Sequence, residues 1–359
     1  MKACWKYRAA QSAKQIWEWL QKPKNIATVV VLAVSWVLFA LNTGNADYKN
    51  YEYAYQIFGE GAPNEYFEPL FYGLMMACYW CGLPYQGFVV VIATITLTIF
   101  VKAIRFFSKD LLWVWLVFMI YPFAFDIVQY RNFLAFAICL YGMHYLLKET
   151  PGIWDIVKYI LFVAVGALIH KSMVVYLVFL LIRVNKTKHV AILSGFAFMG
   201  VGLLALFGER LISLLGQIRP GAFGLNAFTR YWEGLNLSTF VQYFAVYIFF
   251  LALAVLKYRG RYEERDFKLI VAVSLLVPFI IMSGTAARFF RNMFVVFYAL
   301  LLRRGEGRDV KETLRDRIIA AALVSCVAFV FYMQLGSGLY HETVLLPVLK
   351  ENLLFGFGR

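Results

Sequence analysis

Long apolar runs alternate with short polar segments along most of the chain. The runs last roughly 15–20 residues, and a helix needs about 20 to cross a bilayer at a rise of about 1.5 Å per residue. The pattern predicts spans at 26–42, 87–104, 111–125, 132–147, 153–169, 173–183, 190–207, 239–256, 269–283, 289–302 and 318–335. Several are short, so their helices extend past the apolar core or break within it. The stretch EPLFYGLMMACYWCGL at 68–83 is apolar too. As a helix it reaches only about 24 Å, so it is predicted to lie at the interface or to re-enter, with Pro69 at its first position. The expected fold class is an all-α polytopic membrane protein of about 11 transmembrane helices plus this shorter one. A basic segment, 1–25, precedes a single transmembrane domain, 26–335, with long loops at 43–86 and 208–238; a tail, 336–359, has no evident role.

Composition agrees: 62% of residues are hydrophobic, against about 45–50% in soluble domains. The first 25 residues lack the short apolar core and small-residue cleavage site of a signal peptide. A net charge of +14 would raise nucleic acid as a partner of a soluble protein; in a membrane protein it reads as the positive-inside bias, and no nucleic-acid partner is expected. With a cytosolic N-terminus, most of the 35 Lys and Arg residues fall in inner segments, while acidic residues divide almost evenly. The same parity bears on the run GALIHKSMVVY at 166–176. Were 153–183 one helix, the basic loops KYRGRYEERDFK and LLRRGEGRDVKETLRDR would face outward. The chain is therefore expected to turn at His170-Lys171-Ser172, on the outer side. Cys78 and Cys81 form a CxxC within an apolar segment, without a second pair, and read as small packing residues. The four histidines have no metal-ligand spacing, and no metal or other cofactor is expected.

Chemistry-bearing residues then collect on the predicted outer face. The first loop carries Asp47, Tyr48, Tyr51 and Glu68; the second Gln129 and Arg131; the third His170 and Lys171; the fourth Arg219 and Arg230; the fifth Arg288 and Arg291. Arg288 and Arg291 are three apart, hence on one helix face. Arg131, Lys171 and Arg288 each sit at the start of an inward-running helix, where the partial positive charge of the helix end makes a cation unfavourable. A single arginine at a boundary reads as a snorkelling anchor, Asp47 and Glu68 as loop caps, and tyrosines as an interfacial belt. Three misplaced cations on one side point instead to a shared polyanion, and a phosphate group fits.

The ordered motifs DYKNY, EPLF, QYRN, IHKS and RFFR resemble those of the EpsG family of bacterial membrane proteins, grouped with Wzy-like polymerases of exopolysaccharide, capsule and O-antigen synthesis. The resemblance covers roughly residues 25–300. Many relatives carry glycine or glutamine after the second-loop arginine, where this chain has Asn132. The resemblance implies a glycan polymerase in the bacterial cytoplasmic membrane, acting at the outer leaflet on undecaprenyl-diphosphate-linked oligosaccharides, with other polysaccharide-export proteins as further partners. It maps Arg131, Lys171, Arg288 and Arg291 to diphosphate-holding positions, and Asp47 and Glu68 to acidic ones.

The residues themselves support such chemistry. Preorganised Arg and Lys stabilise a departing diphosphate. An acceptor hydroxyl then needs a base, for which Asp47, Glu68 and His170 are the candidates, with Asp47 and His170 favoured. Tyr48, Tyr51 and Trp232 are candidate sugar contacts, and Gln129, Arg219 and Arg230 further candidate substrate contacts. Competing readings are a glycosyltransferase using a polyprenyl-monophosphate sugar, a flippase for the lipid-linked saccharide, and a non-enzymatic scaffold. A flippase calls for cations on both sides of the membrane centre, and internal repeats; no repeat of the motifs is evident.

Overall fold

A computed structural model describes residues 22–64, 66–183, 186–218, 236–303, 310–338 and 340–354. It is all-helical, and among the described residues the only strand-like feature is one isolated antiparallel bridge, Asn42 to Asn352. Six helical stretches are long and apolar enough to cross a membrane, and further apolar helices pack among them. The chain is thus a polytopic membrane protein.

The first helix, α1 (Pro23–Ala40), starts with Pro23, whose missing N–H costs nothing at that position. Two helices too short to cross, α2 (Tyr48–Gly59) and α3 (Pro69–Trp80), follow and pack on each other. The apolar stretch at 68–83 therefore forms a helix that does not span, as its length demands. Cys78 is partly buried, but Cys81 is exposed at the end of α3 rather than packed, and the two are not bonded. Next come α4 (Tyr85–Phe107), α5 (Leu111–Ile120), α6 (Phe123–Val128), α7 (Tyr130–Leu146) and α8 (Ile153–Ala167). The predicted span at 111–125 breaks at Pro122, where the ring removes a helix donor.

The segment Lys171–Arg183 is a 3-10 helix. Its rise of about 2.0 Å per residue stretches its 13 residues to about 26 Å, longer than an α-helix of the same length. It returns along α8: Tyr159 Oη donates to the carbonyl of Tyr176 at 2.6 Å, and Gly166 sits against Met173. That antiparallel register establishes the turn expected at His170.

Helices α9 (Thr187–Ile218) and α10 (Leu237–Lys257) follow. The next two predicted spans are each broken. One comprises α11 (Arg265–Val273), a 3-10 turn and α12 (Phe279–Met282), interrupted at Pro278. The other comprises α13 (Ala287–Asn292) and α14 (Phe294–Leu302). Helix α15 (Val310–Phe331) runs into two π-helical turns and a last helix, α16 (Leu346–Lys350).

The loops segregate to two ends. At one, Arg265 donates to the carbonyl of Leu147, Lys257 meets Asp316 at 3.4 Å, Arg303 pairs with Asp266, and Thr187 bonds Glu263. These are the segments whose basic residues predict a cytosolic position. Segments 43–47, 66–69, 129–131, 168–172 and 283–288 supply the other end.

Candidate functional site

At that second end, Glu68 is the organising group. It precedes Pro69, so its backbone is extended and its side chain does not cap its own helix. Its Oε2 accepts from Arg131 Nη1 at 3.0 Å, and its Oε1 accepts the backbone N–H of Lys171 at 3.0 Å. One carboxylate thus ties α7 and the start of the 3-10 helix to the entry of α3. The backbone N–H of Leu70 adds a bond to the carbonyl of Leu168 at 2.9 Å. A cation at a helix start is disfavoured by the helix dipole; here the Glu68 carboxylate offsets it at two such starts.

Arg131 lies over Phe67, 4.9 Å from the ring centroid, with Phe71 at 5.8 Å. Its Nε is buried and makes no hydrogen bond to the protein. Behind it, Asn132 Nδ2 donates to Asn292 Oδ1 at 3.3 Å, and Asn292 Nδ2 donates to Tyr176 Oη at 2.9 Å. This buried line joins α7, α13 and the 3-10 helix, and so sets where Arg131 and Arg288 stand. Asn292 and Tyr176 were not among the predicted site residues. The available signal was an amide and a phenol inside apolar runs, which does not reveal their partner.

A cleft of about 580 Å³ opens beside the turn. Its polar end is formed by His170, Lys171, Ser172, Ser283 and Arg288, and its walls by Val174, Val201, Leu204 and Phe279. A larger groove, about 670 Å³, lies at the opposite end of the bundle near Asp316, which pairs with Lys257.

His170 is buried and its imidazole pKa is lowered to about 3, first by burial and then by Arg131, Arg288 and Lys171. The ring is neutral at pH 7. The Ser172 N–H points at His170 Nδ1 (3.4 Å) and the Ser172 hydroxyl lies 2.7 Å from the same atom. Nδ1 is therefore an acceptor, and Nε2 carries the proton. Asp47 precedes α2, and its backbone N–H is held by Asn45 Oδ1 at 3.1 Å. Its carboxylate does not cap the helix. Burial raises its pKa, opposed by the charges of Arg131 and Arg288.

Asp47, Glu68, Arg131, His170, Lys171 and Arg288 are thus brought to one end. Arg291 and Gln129 are not part of that cluster: Arg291 Nη2 donates to Gln129 Oε1 at 2.7 Å, and the guanidinium lies 4.4 Å over Phe125, deeper in the bundle. Tyr48 and Tyr51 turn inward. Tyr48 donates to Gln86 Oε1 at 2.9 Å, and Tyr51 stacks on Phe67 at 5.6 Å. Their faces meet protein rather than solvent, because α2 needs an apolar side to seat on α3 and α4. Arg219, Arg230 and Trp232 lie outside the described residues.

The model of the EpsG family matches residues 25–345, nearly the whole described chain. No curated protein and no solved structure matches.

Proposed function

The chain belongs to the EpsG family of polysaccharide-polymerase-like membrane proteins, and from that premise we propose that it joins undecaprenyl-diphosphate-linked oligosaccharides at the outer face of the bacterial cytoplasmic membrane. Its N-terminus is then cytosolic, and the end carrying Glu68 and Lys171 faces outward. The observation that carries this reading is the cleft with cations at one end and apolar walls below. A lipid diphosphate has the same two-part character: an anionic head and an isoprenoid chain.

In the proposed reaction Lys171 and Arg288 hold the diphosphate, with Arg131 held beside them through Glu68. The bond from the anomeric carbon to the diphosphate oxygen breaks, and the electron pair leaves with the lipid diphosphate. Fixed cations in a poorly hydrated site stabilise that charge as it develops. A hydroxyl of the second lipid-linked unit bonds to the anomeric carbon, and its proton passes to Asp47. Of the three candidate bases, Glu68 has both oxygens engaged, and His170 presents a donor N–H, not a lone pair. His170 then serves as a hydrogen-bond donor to the phosphate oxygens, and Glu68 as the group that positions two cationic elements. The roles of Tyr48 and Tyr51 in this reading are to seat α2, which carries Asp47 at its start, and Arg291 and Gln129 brace the bundle below.

The test is Lys171→Ala and Arg288→Ala, each expressed in a strain lacking the native chain. Lipid-linked single repeat units accumulate and polymer is lost, with normal membrane levels of protein. Wild-type polymer from both variants would remove the diphosphate site. Loss of all repeat units from the outer leaflet would favour a flippase instead.

A further inference from the structure

The tail that follows α15 does not trail away from the bundle; it folds back onto the end of α1. Tyr340 packs edge-on against Phe125, with ring centroids 5.0 Å apart, and Val344 and Val348 are buried. Residues 351–353 then pair with residues 41–43: the Thr43 N–H donates to the carbonyl of Glu351, and the Leu353 N–H to that of Leu41, each at 2.9 Å. Two asparagines, both 3% exposed, lock the junction. Asn352 Nδ2 donates to the carbonyl of Val37 at 2.9 Å, and Asn42 Nδ2 donates to the carbonyls of Pro347 and Glu351 at 3.0 Å each.

The contact continues from there toward the site. Asn42 Oδ1 accepts from Asn45 Nδ2 at 2.8 Å, and Asn45 Oδ1 accepts the backbone N–H of Asp47 at 3.1 Å. Every bond in this line is directional and its anchor Asn42 is buried, so the loop 42–47 has one arrangement as long as the tail is in place. Gly44 fits under the tail because it lacks a side chain. A Cβ there would lie 2.7 Å from Glu351 Cβ and closer still to the end of that side chain, so the tail would have to shift.

We propose that residues 340–354 act as a strap that positions Asp47 through Asn42 and Asn45, making these two asparagines and Asn352 positioning residues for the transfer step. The proposal rests on the reading of Asp47 as the base. A base displaced by about 1 Å loses as much as 100-fold in rate, while diphosphate binding at Lys171 and Arg288 is unaffected. A loosened loop also admits water to a carboxylate whose burial now disfavours its charged form, so its acid limb moves to lower pH.

The experiment uses the full chain in lipid nanodiscs, with lipid-linked repeat units extracted from a strain lacking it as substrate. Asn45→Ala and Gly44→Val are compared with wild type; the second keeps every hydrogen-bonding side chain and displaces only the tail. Both are expected to lower kcat by about ten- to 100-fold with KM changed less than about twofold. The acid limb of kcat moves downward in pH. Asn45→Ser, whose hydroxyl can accept the same N–H, restores most of the rate. Wild-type kcat and pH profile in Gly44→Val and Asn45→Ala would overturn the strap, as would a loss that appears wholly in KM. Asp47→Asn keeps the two failures apart. If it retains full polymerisation, the assignment of the base falls; if it is inactive while the strap variants are normal, only the strap falls.

Discussion

Arg288 and Arg291 lie three residues apart on one six-residue helix, yet they inhabit different regions of the protein. Arg288 is half-buried and lines the cleft with Lys171. Arg291 is 6% exposed and sits among Gln129, Phe125, Asp126, Tyr121 and Tyr243. Three residues on a helix turn through about 300°, so the two side chains diverge by about 60°. At the wall of a bundle that is enough to send one to a cleft and its neighbour to the core. Both arginines of the RxxR motif were expected at the diphosphate; the structure sets only Arg288 of the two at the cleft. The cleft end keeps cations where a ligand can reach them. The buried nest uses its cation internally, with Tyr121 and Tyr243 hydroxyls 2.9 Å apart and the Tyr298 hydroxyl on the carbonyl of Tyr121.

The largest effect that tests this contrast is on folding. Arg291→Ala leaves Gln129 Oε1 without its donor and removes the positive charge near buried Asp126; loss of a charge-assisted hydrogen bond costs about 1.5–3 kcal/mol. Low membrane abundance and a lowered Tm in detergent are expected. A well-folded Arg291→Ala protein that has lost only polymerisation would place Arg291 with Arg288 after all. Second, Arg288→Ala keeps its Tm and loses about 10²–10³-fold in kcat/KM, the scale for removing one group that stabilises developing negative charge. Third, Arg288→Lys keeps the charge but not the planar fork, and a loss of about tenfold is expected for a bidentate contact.

A pH profile sharpens the same comparison. Asp47 has a raised pKa and must be ionised to take a proton, so kcat falls as pH drops through a value above the ordinary carboxylate of about 3.9. His170, with its pKa near 3, stays neutral over that range and contributes no limb near pH 6.5. Its depressed value also means that an unfolded chain binds the proton first. The stability contributed by neutral His170 is therefore present above about pH 6.5 and lost as pH falls toward 3. A limb near 6.5 that disappears in His170→Gln would reassign the base. The smallest effect is expected for Ser172→Ala, about 1 kcal/mol or less, from one hydrogen bond to the imidazole.

Much of this was legible from residue order. Charge parity alone required the reversal at His170, and the structure has it. Sidedness alone gathers Glu68, Arg131, Lys171 and Arg288 at one end. Other features were not readable in one dimension. That Glu68 would bind Arg131 and the Lys171 N–H together depends on the crossing of α3, α7 and the 3-10 helix. The same holds for Tyr48 and Tyr51, whose pattern suits an interfacial belt and a core face equally. The tail gave no signal because asparagines in a polar segment fit a loop as well as a buried lock.

By itself, then, the amino-acid order determined where the apolar segments lie, that the stretch at 68–83 is too short to span, and which polar groups share an end. Those properties follow from hydrophobic length and net charge, both of which act along the chain. Tertiary structure alone decided which arginine faces the cleft, which carboxylate binds Arg131, and what covers Gly44. Those depend on helix rotation and on contacts between residues as far apart as Asn42 and Glu351, where a few ångströms or tens of degrees change a partner.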